Sequence, residues 1–467
     1  MTNNDTYDLA VIGAGPGGYV AAIRAVQLGM KVGVVERAEL GGICLNWGCI
    51  PTKALLRNAE ILRLFHRSEE FGIKVQAIEV DLGKIVERSR AIAGQLYKGV
   101  HFLFRKNKID SIKGSGRINP DKTIQVTDEK GKEVTTIKSK RAIIATGARP
   151  RAIPGVKIDG KKVLSYFEAL VLKDIPQSMV IIGAGAIGIE FAYFYSALGT
   201  KVSIVEMMPR ILPIEDKEIS NILQKEFKKS GIDIYTETTV KSVSTKGKNV
   251  TVTVSSKDGE SKLEGDVALM AVGVQGNVEN IGLEELGIEM ENGNIKVNEF
   301  YRTNVDGIYA IGDVIGPPWL AHVGSAEGIV AVEAMAGKSP LPIDYGNIPN
   351  CTYCMPQVAS LGMTEEKARE AGHELKIGRF PFRANGKSLA YGEPEGMVKL
   401  IFDAKYGELL GAHIIGAEAT ELIASLGIGK TLETTYHEIH KTVHAHPTMS
   451  EAIMEAAADA EEEAIHI

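Results

Sequence analysis

Two cysteines in the segment GGICLNWGCIPTK (residues 41–53), Cys44 and Cys49, have a spacing that suits three chemistries. They could form a structural staple, half of a metal site, or a thiol pair that carries electrons. A disulfide needs Cα atoms within ~7 Å, and residues five apart on a regular α-helix already rise ~7.5 Å along its axis. The segment must therefore bend, as a loop or a distorted helical turn, and Gly41, Gly42 and Gly48 make the bend easy. Pro51 suits a helix's first turn and KALLRNAEILRL continues it, so Cys49 is expected just before a helix N-terminus. Free N–H groups there stabilise a thiolate and lower the thiol pKa. A staple would close too small a loop to contribute much, which favours the redox reading. Zinc held by Cys44, Cys49, Cys351 and Cys354 is the alternative, but structural zinc usually pairs two tight CxxC hairpins and the first pair is wider. Cys351 and Cys354, in NCTYCMPQ, read as small apolar residues on a strand.

A reactive thiolate needs a proton partner, and KTVHAHPTMSEAIMEAA (residues 441–457) supplies one. His446 precedes Pro447, which biases it to extended backbone. Ser450 is expected to cap a helix that Glu451 opens, so that Glu451 can reach back to one ring nitrogen of His446. A carboxylate there fixes the tautomer and favours the imidazolium, making a base able to deprotonate an incoming thiol. His437, His440 and His444 lie nearby; by themselves they would suggest a metal or a polar surface.

The elements that must position these groups are written twice. YDLAVIGAGPGGYVAAIRAVQLGMKVGVVE (residues 7–36) and SMVIIGAGAIGIEFAYFYSALGTKVSIVE (178–206) both run strand, GxGxxG, helix, strand, acid. Glu36 and Glu206 each fall 23 positions after the first glycine, Gly13 or Gly183. In that context Gly13 and Gly183 allow the tight turn, Gly15 and Gly185 let a pyrophosphate approach, and Gly18 and Gly188 let helix pack on strand. The helix N-terminus faces the phosphates, and each glutamate accepts ribose hydrogen bonds. An acid repels a 2′-phosphate, so Glu206 favours NAD over NADP. Two such sites suggest two dinucleotides, the arrangement of a flavoprotein coupled to a nicotinamide. RAIIATGARP, ending at Thr146–Gly147, and TNVDGIYAIGDV, ending at Gly312–Asp313, read as strands whose carboxyl ends border a ligand. Asp313 suits ribityl hydroxyls, or equally the N-cap of a following helix.

The 467 residues suggest roughly three domains. A net charge of −6 without a basic block excludes nucleic acid as a first choice. The start lacks a signal-peptide pattern, and the few cysteines point to a reducing, cytoplasmic location. The apolar run 179–199 is broken by Gly183, Gly185, Gly188 and Glu190, so it reads as strand, turn and helix rather than a membrane span. Punctuation by Pro and Gly divides the chain into a first dinucleotide unit (1–150), a second (151–273), a segment returning to the first (274–343) and a C-terminal piece of alternating strands and helices (344–467).

With these motifs the chain resembles the pyridine nucleotide–disulfide oxidoreductases over nearly its whole length. GGICLNWGCIPTK is similar to their redox disulfide, GAGPGG and GAGAIG to their FAD and NAD sites, ATG and the Gly312–Asp313 strand to their flavin motifs, and HAHPTMSE to their histidine–glutamate dyad. The resemblance implies an α/β fold with two Rossmann-like dinucleotide-binding domains, for FAD and NAD, and an α+β C-terminal dimerisation domain. It implies that Cys44 exchanges with the substrate disulfide and that Cys49 lies against the flavin. Lys53 and Glu190 would form a charged pair near flavin N5 and the nicotinamide, with Gly273 lining the NAD site. In the implied homodimer, His446 and Glu451 serve the disulfide of the other subunit.

The branch it is most similar to oxidises protein-bound dihydrolipoamide with NAD. The implied partners are lipoyl domains and the E2 core of 2-oxoacid dehydrogenase complexes, or the glycine cleavage system, with no nucleic acid, membrane or metal. A glutathione reductase-like enzyme is the alternative within the class, opposed by Glu206; a purely structural component is the alternative outside it. Trp47, CTYCMPQVAS, LAHVGSAEG and VGVQGN depart from the common pattern.

Overall fold

The computed structural model describes residues 6–467. The chain forms two compact units. The first comprises the chain up to Ala54, residues 83–151 and residues 274–343; the second comprises 55–82, 152–273 and 344–467.

The first unit is built on a parallel sheet. Its strands are ordered Asp110–Lys113, Val32–Glu36, Thr6–Ile12 and Glu133–Ile144, with Ile308–Ala310 on the far side of the last. Strand Glu133–Ile144 is shared, because its first half also pairs antiparallel with Ile124–Thr127. Leu9, Val11, Ile143 and Ile311 pack into one core cluster, and Ala10, Ile12, Ile144 and Ala310 into another. Strands with both faces buried need continuous apolar runs, which is why LAVI and AII carry no alternation. Helix α1 (Pro16–Gln27) packs closely on the helix Ala321–Met335. A Cβ at Gly17 would stand 2.9 Å from Gly324 O, and one at Gly328 2.8 Å from Gly17 O, so small residues permit the approach. Three further helices complete the cysteine region: α2 (Gly42–Asn46), α3 (Cys49–His66) and α4 (Leu82–Lys106).

The second unit repeats the plan. Its parallel sheet runs Asp233–Tyr235, Lys201–Val205, Ser178–Ile182, Val267–Met270, Val163–Leu164. Helix α5 (Ala186–Ala197) follows the second glycine turn. The apolar run 179–199 is thus strand, turn and helix, and among the described residues no helix is long and apolar enough to cross a membrane.

The C-terminal part of this unit is a five-stranded antiparallel sheet, ordered Asn350–Thr352, Gln357–Gly362, Leu409–Gly416, Met397–Asp403, Leu375–Pro381. It is tied to helix α6 (Lys217–Lys229) by a buried ionic cluster. Lys399, only 1% exposed, donates to Asp216 at 3.0 Å and to Glu218 and Glu365 at 2.8 Å. Arg379 adds a second cation to Glu218 at 2.7 Å. A buried charge persists when partners surround it in this way. Helix α7 (Glu451–Asp459) lies against the same sheet, where a Cβ at Gly378 would collide with Ala456 O at 1.6 Å.

Candidate active site

The cysteine segment is clamped to the first glycine turn. Gly41 N–H donates to Ala14 O at 2.8 Å, and a Cβ at Gly42 would lie 2.6 Å from Gly15 Cα. Cys44 sits in α2, whose last carbonyls are reached by Trp47 N–H (to Ile43 O, 2.7 Å) and the Asn46 amide (to Gly42 O, 2.9 Å). The chain breaks at Trp47–Gly48 and restarts as α3. Gly48 O accepts from both Thr52 N–H (3.1 Å) and the Thr52 hydroxyl (2.6 Å). The expected bend is therefore a break between two helices, and Cys49 is the first residue of α3 rather than the one before it. Helix ends are defined only to within a residue or two, so the difference is one of boundary and not of element.

Cys44 and Cys49 are in hydrogen-bonding contact. That bond, burial and the charge of Cys49 hold the Cys44 thiol above its ordinary pKa; Lys53 pulls the other way and Asp313 reinforces the rise. Cys49 opens α3, where free N–H groups and the helix dipole favour a negative charge. Tyr19 of α1 stands near Cys44, its phenol pushed up by burial and then by the thiol's charge.

The two glycine turns are alike in detail. Gly13 (φ +106°) and Gly183 (φ +105°) adopt backbone that L side chains rarely take, and a Cβ would strike Ala145 O at 2.1 Å or Ala271 O at 2.4 Å. A Cβ at Gly18 or Gly188 would come within 2.0 or 2.1 Å of the carbonyl of Gly13 or Gly183. Glu36 accepts from Ala14 N–H and Ala38 N–H, both at 2.7 Å. Glu206 accepts from Ala184 N–H and Met208 N–H, both at 2.8 Å. Each carboxylate is thereby aimed at the turn, with lone pairs left for ribose hydroxyls. Neither α1 nor α5 has a side-chain cap at its N-terminus, so its first N–H groups are available to phosphates.

The carboxyl edges of the sheets are open where a cofactor needs room. A Cβ added at Gly147, Gly185, Gly273 or Gly312 would meet nothing within 4 Å. Thr146–Gly147 is held by Asn277: the Thr146 hydroxyl donates to Asn277 O at 2.7 Å, the Asn277 amide to Thr146 O at 2.9 Å, and Asn277 N–H to Gly147 O at 2.8 Å. Gly312 N–H donates to the buried Glu327 at 2.6 Å. Asp313 falls inside a 3-10 turn, Gly312–Ile315, instead of capping a long helix, and burial followed by the charge of Glu327 raises its pKa to about 6. Asn277 and Glu327 were not legible as site residues, since only the folded chain brings them to these turns. The first turn and its neighbours fit FAD, and the second fits NAD.

In the second unit Glu190 is buried and accepts from Tyr353 N–H at 3.0 Å; Lys53 belongs to the first unit. His446 Nδ1 lies 2.9 Å from Glu451 Oε1, the dyad expected from the spacing. Ser450, however, does not cap α7 with its side chain. Glu451 Oε2 takes Thr448 N–H at 2.8 Å, so one carboxylate both fixes the turn that leads into the helix and orients the imidazole. Burial would raise the Glu451 pKa, but the Thr448 bond and His446 outweigh it and the carboxyl sits below its ordinary value. Cys351 lies on strand Asn350–Thr352, as expected, whereas buried Cys354 lies beyond it and contacts Pro356 O at 3.1 Å. The two cysteine pairs belong to different units.

This combination of a thiol pair, two dinucleotide turns and a histidine–glutamate dyad defines a class. Residues 7–328 match the pyridine nucleotide-disulphide oxidoreductase family and residues 348–457 its dimerisation domain, and the chain belongs to that family. Its cofactors are FAD and NAD. Among curated relatives, the dihydrolipoyl dehydrogenase of Rhizobium etli is 49% identical, covering 98% of this chain and 98% of its own. That of Zymomonas mobilis is 50% identical, covering 99% of each. Among solved structures, LpdA from Mycobacterium tuberculosis aligns with a TM-score of 0.90 at 26% identity, over 96% of this chain and 98% of that one. The HOCl-induced flavoprotein disulfide reductase RclA of Escherichia coli, as its Cu(II) complex, aligns at 0.87 and 26% identity, over 97% and 99%.

Proposed function

We propose that the chain works as a dihydrolipoyl dehydrogenase, oxidising protein-bound dihydrolipoamide to lipoamide through a Cys44–Cys49 disulfide and reducing NAD. The observation that carries this reading is the contact between the two thiols, with Cys49 at the start of α3. His446 Nε2 takes the proton of one substrate thiol while Glu451 holds Nδ1. The thiolate attacks Cys44 Sγ; the S–S bond breaks, and its electron pair leaves on Cys49, where the helix N-terminus stabilises it. The second substrate thiol then attacks the substrate sulfur of the mixed disulfide, closing the lipoamide ring; Cys44 leaves as a thiol, taking up the proton that the second substrate thiol gives up, while the first proton stays on His446. FAD, when bound, would supply the acceptor for the electron pair held on the reduced cysteines, and NAD the acceptor for the hydride. Lys53, one turn into α3, offsets the negative charge on the pair. Glu36, Asp313 and the turn Thr146–Gly147 hold FAD; Glu206, Gly273 and the second glycine turn hold NAD, with Glu190 in the same cradle.

The functional division is a FAD-binding part (1–150 with 274–343), an NAD-binding part (151–273) and an interface part (344–467). The dimerisation domain supports a homodimer. Lipoyl domains and the E2 core of a 2-oxoacid dehydrogenase complex, in a reducing cytoplasm, supply the substrate. Cys44→Ser is expected to abolish lipoamide turnover, by at least ~10³-fold, while flavin-mediated transfer from NADH to a dye persists. Steady-state assays of both activities on the purified holoenzyme test this; simultaneous loss of both contradicts the assigned roles.

A further inference from the structure

Helix α4 sends consecutive residues to the backbone of the cysteine segment. Ser89, fully buried, donates its hydroxyl to Pro51 O at 2.9 Å. Arg88 reaches Ala54 O at 3.2 Å. Arg90 does more: its guanidinium donates to Asn46 O and sits over the Trp47 ring, 4.0 Å from the ring centroid. Asn46 ends α2 and Trp47 caps it. Arg90 therefore grips the two residues midway between Cys44 and Cys49, where the helical path is interrupted. Asn46 is itself anchored by its amide to Leu40 O (3.0 Å) and Gly42 O (2.9 Å), so the grip is transmitted to the whole of α2.

We propose that Arg90 is a positioning residue for the redox pair: set over the Trp47 ring and bonded to Asn46 O, it holds the helix break closed and keeps the two sulfurs within bonding reach. Ring closure by two thiols depends on their effective concentration, which falls as the connecting segment gains freedom. A planar guanidinium can stack and donate at once, whereas a lysine ammonium cannot reproduce both contacts. The effect on the pair is geometric, because the charge opposing proton retention on Cys44 is that of Lys53. This inference rests on the redox reading of Cys44 and Cys49.

The test equilibrates the holoenzyme with glutathione buffers. Two glutathione thiols reduce the Cys44–Cys49 disulfide to two thiols and become glutathione disulfide; alkylation and peptide mass analysis then give the fraction reduced. Arg90→Met is expected to make the disulfide about tenfold easier to reduce, about 30 mV for a two-electron couple. Arg90→Lys should fall with Arg90→Met, and Trp47→Leu should shift the equilibrium in the same direction. The FAD content of each variant, read from its visible absorbance, reports whether the first unit is intact. If Arg90→Met folds poorly, Arg90→Lys and Trp47→Leu carry the test. Equilibria within threefold of the parent in FAD-replete variants would overturn the proposal. A parent protein whose pair never cycles between thiol and disulfide would instead overturn the redox reading itself.

Discussion

The residues that carry the chemistry differ in how they are supported. Cys44 and Cys49 lie at helix ends with Lys53 and Asp313 close by, while His446 is 80% exposed and held by a single carboxylate. Glu451 has two tasks, fixing Nδ1 of His446 and accepting Thr448 N–H, so both of its oxygens are committed. His446→Gln should leave binding intact and lower lipoamide turnover by ~10²–10⁴-fold, the range for removing a general base. The NADH-to-dye reaction, which needs no proton from a substrate thiol, should stay near the parental rate. A matched drop in both reactions would mean that His446 serves folding or assembly. The cysteine pair, the dyad and the two glycine turns could be read from spacing alone, because each is local or follows a fixed strand–turn–helix rhythm. Asn277 and Glu327 could not: Asn277 reaches Thr146 across 131 residues, and Glu327, 15 residues from Gly312, belongs to no strand–turn–helix rhythm that marks it.

At the scale of elements, regular structure was legible wherever apolar period and punctuation agreed. Strands Thr6–Ile12 and Ser178–Ile182 and the helices after them follow directly from apolar runs closed by glycine. The start of α3 and the uncapped start of α7 did not, because a helix boundary is settled by which group satisfies the first N–H donors. At α7 the backbone carbonyls of Met449 and Ser450 accept from Ala452 N–H and Ile453 N–H, and the Ser450 side chain does not cap. Nor did spacing reveal the cluster that ties α6 to the C-terminal sheet. Lys399 is surrounded by Asp216, Glu218 and Glu365, and removing it leaves carboxylates without their buried counter-charge. Lys399→Met should lower stability by about 3–5 kcal/mol, measured as a fall in the urea midpoint of the holoenzyme. The cluster also predicts a pH response. Arg379 first, and then Lys399, depress the Glu218 pKa from 4.5 to about 2 against the cost of burial. A depressed carboxyl contributes stability that is fully present above its unfolded value and is lost as pH falls through the folded one. The urea midpoint should therefore decline between pH 4.5 and 2, and more steeply in the parent than in Lys399→Met. Parallel pH profiles would show that the lysine does not govern this carboxylate.

For the whole molecule, the telling feature is where the base sits. His446 lies within the dimerisation domain, on a stretch whose neighbour Val443 is 94% exposed, with Leu432 at 74% and Ile428 at 65%. Large apolar side chains left this open are expected to be covered by another protein surface. In a twofold dimer the same surface is used by both copies, so a base carried there can serve the cysteine pair of the other subunit. If His446 serves the other subunit's cysteine pair as proposed, catalysis is a property of the pair of chains, and two inactive parents should complement each other. Subunits with Cys44→Ser keep His446, and subunits with His446→Gln keep both cysteines. If base and disulfide come from different chains, a mixed dimer holds one complete site, and statistical mixing of equal amounts should restore about a quarter of the parental lipoamide turnover. Co-expression with two affinity tags isolates the mixed species, which should reach about half. If both groups act within one chain, each site in the mixed dimer still lacks one of them. Turnover would then stay at the level of the parents, and the exposed face around Val443 would need another occupant.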